Sequence, residues 1–556
     1  MMKIKYIIGL VLPLLITSCY EDKGNYDYSL LNDIDIVVQP EEKSYVLGDI
    51  VKVTPQMNFA LEHETPESDL SFEWTYDSHL ISNEKNLNWQ ADTVATSKEL
   101  RLAVYDKHTG ITYFGSTMMS IFSPYTEEGW LVLSEKDGKS MLTYLRKHWT
   151  ENKEGEDELE CVVIRDVYGL ANDGESLGSD PQSINVHYVN QFDGEDNTGW
   201  VWVAQKGGQG CVDLSGTSYQ RQGNLNQMFL EGSYPAGFTP QSVVDFKYLT
   251  LAIGEDGTTY TRVKESDLLY NSGYFLERSL TYEGENVDCR LLAMAPFAEH
   301  GGVLVYDSNS SRYFHICDAI DSYTSFPSGN IVISAIYSGK VMFPVVNEKD
   351  YKKVPEFTRF DAMKDVKVHY VGAYKTTSWG NVGYMSILEE NGKFYLQNFT
   401  VNDFDIYAPE VIAATPISQE EIPGLGTYVN GSSKNIFTLC RYQSKVPCLF
   451  VTSDNDLYLS YLKGNSYAPV PFAHFDSKIT SINVENNNNS YLSVGLENGD
   501  FYLFYLDMGV LEEVLQKGPI SIDKVDHKKF LWHEKDLGRI VTVLFKNNQN
   551  GEWGWM

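Results

Sequence analysis

The stretch 497–506, ENGDFYLFYL, follows the run YLSVGL at 491–496, and its Gly-Asp reads as a two-residue turn between two strands. Asn-Gly and Asp-Gly pairs tolerate the positive φ angles that tight hairpins demand, and an alternating strand turns every second side chain to one face. The same unit recurs at WLVLSEKDGKSMLTYL from Trp130, WVWVAQKGGQGCVDL from Trp200, LTLAIGEDGTTYTRV from Leu249, GVLVYDSNSSRYFHI from Gly302, VGYMSILEENGKFYLQNF from Val382 and CLFVTSDNDLYLSYL from Cys448. Seven hairpins therefore repeat at a near-regular spacing.

Most hairpins follow a further strand-like segment. These are SINVHYV from Ser183, QSVVDFK from Gln241, RLLAMAPF from Arg290, VKVHYVGAY from Val366, KNIFTLC from Lys434 and KITSINV from Lys478. Repetition of a four-strand unit predicts a β-propeller, with the segments before each hairpin as its inner strands. The hairpin at Trp130 lacks such a partner directly before it, whereas RIVTVLF from Arg539 is a segment of this type with no hairpin. Closing the ring with that C-terminal strand gives seven blades and a three-plus-one first blade. Eight blades is the alternative, if NNQNGEWGWM at 547–556 folds back as a hairpin. VLEEVLQKG from Val510 is the best candidate for a short helix, set in a loop of the propeller.

Before the hairpins, residues 32–124 hold short strand-like segments: DIDIVV, SYVLGDIVKVTP, LSFEWTYD, KELRLAVYDKHTG and ITYFGSTMMSIF. Their alternation and close turns predict a small β-sandwich of immunoglobulin type with Trp74 in its core. The whole chain is thus expected to be all-β, a sandwich at 32–124 and a propeller at 125–556.

At 556 residues and 42% hydrophobic, the chain has room for both domains, and 13% aromatic content favours strands. A formal charge of −32 leaves no clustered Lys and Arg for phosphate binding, which argues against nucleic acid. The acidity reads first as a solubilising surface.

Lys3 and Lys5 precede an apolar run from Tyr6 to Ile16 that ends Ile-Thr-Ser-Cys at Cys19. This looks like a bacterial lipoprotein signal peptide at 1–18, cut so that Cys19 carries the lipid, with a tether at 19–31. The run is too short to span a bilayer. Tyr20-Glu21-Asp22-Lys23 resembles the acidic export signal of Bacteroidetes surface lipoproteins, which implies an outer-membrane anchor facing the exterior. The other cysteines are scattered and form no CxxC pair, so neither a zinc site nor a disulfide framework is expected. Cys440 and Cys448 fall on neighbouring strands, and either two buried thiols or, in an exported protein, a disulfide fits there.

The lipobox, CYEDKGNYDY, NDIDI, SYVLGDIVKVTP, FEW, AVYDKHTG and GWLVLSE together resemble the PKD-like family of Bacteroidetes surface lipoproteins. The resemblance is close over the N-terminal third and loose beyond it. The WDFGDG-like core of ordinary PKD domains is absent, so only the sandwich carries over. The family occurs beside SusC/SusD-type outer-membrane importers, which implies a role with such an importer and other surface lipoproteins in capturing oligopeptide or oligosaccharide cargo.

No GxSxG, HExxH, Walker A or dinucleotide fingerprint is present, and the histidines are dispersed. His79, His187 and His369 have no acid at motif spacing and read as structural or solvated. The acidic loop at Asp193–Asn197 lacks EF-hand spacing and reads as a solvated turn. No cofactor, metal site or catalytic residue is therefore expected. In a four-stranded blade, the connection between strands one and two leaves on the same face as that between strands three and four. That rule groups Trp149, Phe192, Tyr270, His300, Tyr323, Phe326 and Trp379 as a candidate ligand or partner face, since aromatics among polar groups stack on sugar rings or hold peptide side chains. The reading is a surface lipoprotein that binds oligomeric nutrient or docks on an importer. A propeller hydrolase or lyase trimming the cargo, and a purely structural importer subunit, are the alternatives.

Overall fold

The computed structural model describes residues 31–546 except 62–64, 126, 152–154, 156, 188–198, 247–248, 264–272, 295–301, 318–320, 325–330, 335–338, 376–380, 403–410, 430–433, 441–447, 463–466 and 486–490. The chain divides into two compact units, the first ending at Phe122 and the second starting at Ser123.

The first unit is a β-sandwich. It contains β1 (Ile34–Val37), β2 (Ser44–Val46), β3 (Ile50–Val53), β4 (Gln56–Phe59), β5 (Leu70–Tyr76), β6 (His79–Ser82), β7 (Leu87–Gln90), β8 (Ala95–Asp106) and β9 (Thr112–Phe122). A five-stranded sheet of order β2-β9-β8-β5-β6 is joined by the pairs β1-β4 and β3-β7. Period-two alternation puts Leu100, Leu102 and Val104 of β8 inside, with Ile34, Val51, Leu87 and Ile121 from the other strands. Trp74 is fully buried, and its indole N–H donates to the Glu84 carbonyl at 3.0 Å, so the one polar atom of a large core side chain is satisfied.

The second unit is a seven-bladed propeller. Blade 1 holds β10 (Gly129–Lys136), β11 (Lys139–Glu151) and β12 (Asp157–Ile164). Blade 2 holds β13 (Gly178–His187), β14 (Trp200–Gly208), β15 (Val212–Leu214) and β16 (Arg221–Asn224). Blade 3 holds β17 (Pro240–Asp245), β18 (Leu249–Gly254) and β19 (Thr259–Val263), followed by the small hairpin β20 (Thr281–Tyr282) and β21 (Glu285–Asn286). Blade 4 holds β22 (Leu291–Met294), β23 (Gly302–Asp307), β24 (Arg312–Cys317) and, after the inserted pair β25 (Asp321–Thr324) and β26 (Ile331–Ser334), β27 (Val341–Val346). Blade 5 holds β28 (Lys367–Lys375), β29 (Asn381–Glu390), β30 (Lys393–Asn402) and β31 (Val411–Glu421). Blade 6 holds β32 (Phe437–Leu439), β33 (Cys448–Ser453), β34 (Asp456–Tyr461) and β35 (Val470–His474). Blade 7 holds β36 (Ile479–Val484), β37 (Tyr491–Leu496), β38 (Phe501–Tyr505) and β39 (Phe530–Glu534).

The last described strand, β40 (Arg539–Lys546), pairs antiparallel with β10 from Glu135↔Arg539 to Gly129↔Lys546 and becomes the inner strand of blade 1. The ring is therefore closed by three strands from one end of the propeller chain and one from the other, with seven blades among the described residues.

Seven apolar clusters fill the seven gaps between blades. Alternation within one strand supplies two of them: Phe501 and Leu503 of β38 pack with Trp130, Val132 and Ile540 toward blade 1, while Tyr502 and Phe504 pack with Phe450, Phe472 and Phe475 toward blade 6. The strand that opens the sequence reading is thus a buried spacer between two neighbours. Its turn is longer than the two residues expected, because β37 ends at Leu496 and β38 starts at Phe501, with Leu496 N–H bonded to the Asp500 carbonyl at 3.0 Å. Gly499 has φ of +94°, and a Cβ there would lie 2.8 Å from the Gly538 carbonyl oxygen, so two constraints require glycine.

Three α-helical segments among the described residues sit in connections: α1 (Val167–Ala171), α2 (Glu348–Tyr351) and α3 (Met508–Lys517). The best helix candidate in the sequence, read there as a loop decoration, is α3, started by the Asp507 side chain accepting the Val510 N–H at 2.7 Å and held by Val510, Leu511 and Val514 in the cluster between blades 6 and 7. Outside the blade pattern, β27 pairs antiparallel with β24 through Met342 and then runs parallel to β31 from Phe343↔Val411 to Val346↔Ala414. One strand thereby joins the outer edges of blades 4 and 5.

Candidate functional site

The strand order gives the propeller two unlike ends. At one, which we call the turn end, the hairpins within blades close over short spans such as 137–138, 391–392 and 454–455. Asp137 and Gly138, with φ of 53° and 74°, and Asn391 and Gly392, with 51° and 74°, take the left-handed pairs that such turns require. At the other, the loop end, leave the connections 188–199, 295–301, 376–380, 440–447 and 485–490 between first and second strands, and 152–156, 318–340, 403–410 and 506–529 between third and fourth.

Of the candidate face residues, Trp149 lies near the loop end of β11, is 53% exposed, and has the Lys147 ammonium 5.9 Å from its ring centroid. Lys147 also lies 3.2 Å from the Glu128 carboxylate and 5.0 Å from the Tyr491 ring of blade 7, so this indole stands at the junction of two blades over a paired cation. Tyr323 is on β25, opposite Val332 of β26, in the insertion at the same end of blade 4. Phe192, Tyr270, His300, Phe326 and Trp379 lie outside the described residues, as does Cys19.

Beneath the loop end, the inner strands finish on buried charge. His187, the last residue of β13, has Nε2 2.8 Å from Asp213 Oδ1 and Nδ1 3.2 Å from Asp245 Oδ2, with all three side chains buried. Asp245 is the last residue of β17; it accepts a hydrogen bond from the Thr250 hydroxyl, which in turn accepts from Arg262 Nε at 3.3 Å and Nη2 at 3.0 Å. Burial by itself would strip the proton from His187. The Asp213 and Asp245 carboxylates outweigh it and push the imidazolium up to about 9. Trp202 stacks on the ring at 6.0 Å between centroids. With both nitrogens engaged and the proton held, His187 acts at neutral pH as a clamp between blades 2 and 3 rather than as a base.

Two further inner strands repeat the theme. Glu485, directly after β36, is buried. Lys546, the last residue of β40, is fully buried, donates to the Tyr125 carbonyl at 2.8 Å, and lies 5.9 Å from each of the Tyr144 and Tyr219 rings. That cation–π cradle anchors the closing strand to the residues that lead into β10.

The sequence reading left His187 without a partner because its two acids lie in other strands. A signal was present nonetheless: His187 and Asp245 occupy the same, fifth place in SINVHYV and QSVVDFK, adjacent inner strands of one ring. His369 likewise pairs with Glu389 at 2.8 Å, and burial holds its pKa below the ordinary value despite that partner. His79 is the exposed first residue of β6, and its Nδ1 meets the Asp77 carbonyl at 2.9 Å.

The sandwich has its own concavity, a groove of about 510 Å³ on the open side of its five-stranded sheet. Its lining includes Ala103, Phe114, Tyr105, Arg101 and Glu73. The Arg101 guanidinium stacks on Phe114 at 3.9 Å from the centroid.

A profile of the PKD-like family matches residues 19–181. That span takes in the sandwich and the first strands of the propeller. No curated protein matches the chain. Among solved structures, similarity is found to a quinonprotein alcohol dehydrogenase-like protein of Bacteroides thetaiotaomicron, at 11% identity over 93% of this chain and 100% of that one, with a TM-score of 0.34. A functionally unknown protein of Desulfotomaculum acetoxidans is 8% identical over 76% of this chain and 99% of its own, with a TM-score of 0.37. The WD40 domain of Toxoplasma gondii coronin is 9% identical over 69% and 79%, with a TM-score of 0.33. The blade count and closure rest on the strand pairing of this chain itself.

Proposed function

We propose that the protein is a lipid-anchored outer-membrane protein, facing the cell exterior, whose propeller binds oligomeric nutrient or docks as an accessory subunit on a SusC/SusD-type importer. The observation that carries the binding reading is the asymmetry of the ring. Two-residue hairpins close the turn end of blades 1, 5 and 6, whereas Trp149 on β11 and Tyr323 on β25 lie at the loop end. A rigid closed scaffold with varied connections at one end is the arrangement in which recognition residues are usually placed. The signal-peptide and export-motif resemblances support the anchor, and the PKD-like match over 19–181 supports the family context.

Binding without catalysis is favoured because the histidine under this face is held protonated between two carboxylates. Peptide and glycan both suit aromatics among polar groups, and the charge of −32 tilts the choice toward cationic peptide. The test is the Trp149→Ala, Trp379→Ala double variant, assayed by calorimetry with peptide and glycan pools and by importer pull-down from solubilised membranes. At least a tenfold weaker association of a folded variant is expected, on the scale of ~1–3 kcal/mol for a lost aromatic contact. Unchanged association would remove the face. New peptide termini or reducing ends in the incubated pools would replace binding by a hydrolase or lyase.

A further inference from the structure

Six cysteines are buried among the described residues. Burial pushes Cys161, Cys211 and Cys289 up in pKa, with the Glu534 charge adding to it at Cys161 and hydrogen bonding to Gln205 and Thr259 opposing it at Cys211 and Cys289, and no second cysteine enters for any of them. Cys440 and Cys448 are different. The register Leu439↔Leu449 between β32 and β33 sets them directly opposite each other, and the Cys440 N–H donates to the Cys448 carbonyl at 2.9 Å. Both side chains enter the same cluster between blades 6 and 7, and their thiols are within hydrogen-bonding reach. Burial, then this neighbour, raises Cys448 well above the ordinary thiol value.

We infer that Cys440 and Cys448 are a disulfide-forming pair, closed by a small-molecule or protein disulfide while blade 6 is still open, so that the bond ties β32 to β33. Residues opposed across antiparallel strands have Cβ atoms ~4.5–5.5 Å apart, and a disulfide spans ~3.5–4.5 Å, so closure asks only a small approach of the two strands. In the reaction, one cysteine thiolate attacks a sulfur of RSSR and releases RS⁻. The second thiolate then attacks the mixed disulfide at the cysteine sulfur and releases the other RS⁻. Two protein thiols are oxidised to one S–S bond, RSSR is reduced to two RSH, and the cysteine protons end on the released thiols.

The timing follows from burial. Cys448 is fully shielded and Cys440 nearly so, and a thiol raised in pKa inside an apolar cluster is a poor nucleophile with no access to RSSR. Once the blade has packed, whichever state it formed in is retained. That the cell provides the oxidant rests on the export proposed above; the geometry does not.

The full chain, reduced and denatured, is refolded in mixed reduced and oxidised glutathione, acid-quenched, alkylated and digested with trypsin. Cleavage after Lys434, Arg441, Lys445 and Lys463 places the cysteines on separate peptides, 435–441 and 446–463. The expected product is these two peptides linked, and released by reduction. Recovery of both as alkylated thiols overturns the pair. A second arm treats folded, reduced protein with oxidised glutathione: retention of thiols for hours, against closure within minutes on addition of urea, supports closure before packing, and rapid closure in the folded protein overturns it. In a third arm the chain is taken from native membranes after thiol blocking. Linked peptides support closure in the cell; free thiols there, with linkage in the refolding arm, overturn the cellular part and count against the export reading alone.

Discussion

A protonated histidine between two buried carboxylates carries a signature in pH. His187 has an ordinary value of 6.5 and is held up to about 9 in the fold. Folding therefore favours the charged form, so its stabilisation is fully present below about 6.5, declines between about 6.5 and about 9, and is gone above. A shift of this size corresponds to ~3 kcal/mol. His187→Gln is expected to be less stable than the parent by that order at pH 6, with the gap narrowing by pH 9. Urea unfolding of both proteins at pH 6, 7.5 and 9 reads the difference, and a gap that stays constant across this window would show that the residue packs but does not pair. His315 shows the opposite environment. Buried on β24 against Gly302, where any Cβ would strike its ring, it is depressed to about 4 by burial and stays neutral. Its contribution is present above about 6.5 and is lost as pH falls toward about 4. The two effects act on opposite sides of neutrality.

The element that decides the architecture is β40, and a glycine on β37 makes room for it. A Cβ on Gly495 would lie 2.5 Å from Ile540 Cγ2 and 2.9 Å from Val543 Cγ2, both on the closing strand. Gly495→Ala is therefore expected to cost ~1–3 kcal/mol through overpacking. Adding Ile540→Ala, which removes the clashing Cγ2, should recover part of that loss although Ile540→Ala alone is destabilising by ~2–5 kcal/mol. Thermal unfolding of the two single variants and the double completes the cycle, and strict additivity would mean that the strands do not press on each other there. This closure was legible in the sequence because RIVTVLF repeats the inner-strand pattern with no hairpin of its own, and six other inner strands were visible for the same reason. What escaped was anything without period: the antiparallel-then-parallel pairing of β27 with β24 and β31, α1 and α2 in their connections, and the His187 clamp. Alternation records which face of a strand is buried, but not which distant strand lies beside it.

At the scale of the whole molecule, two compact units divide between Phe122 and Ser123, and each carries a core of its own: one apolar cluster in the sandwich and seven in the gaps of the ring. Among the described residues no helix is long and apolar enough to cross a membrane. Attachment, on the function proposed, rests on the acyl chains of Cys19. One chain holds a protein to a bilayer only reversibly, and stable anchoring needs a second signal such as a second chain, which a diacylated N-terminal cysteine with its own amide-linked chain supplies. A basic patch could add to it by attraction to anionic lipid, but a chain of charge −32 is repelled by such a surface. Cys19→Ala should therefore move the protein from the membrane pellet almost wholly to the soluble fraction, with the fold unchanged by circular dichroism. Fractionation of cells producing parent and variant reads this directly. A variant that still sediments with membranes and is released by high salt would replace the lipid anchor by electrostatic or protein-mediated attachment, and one that resists salt would point to a second hydrophobic anchor.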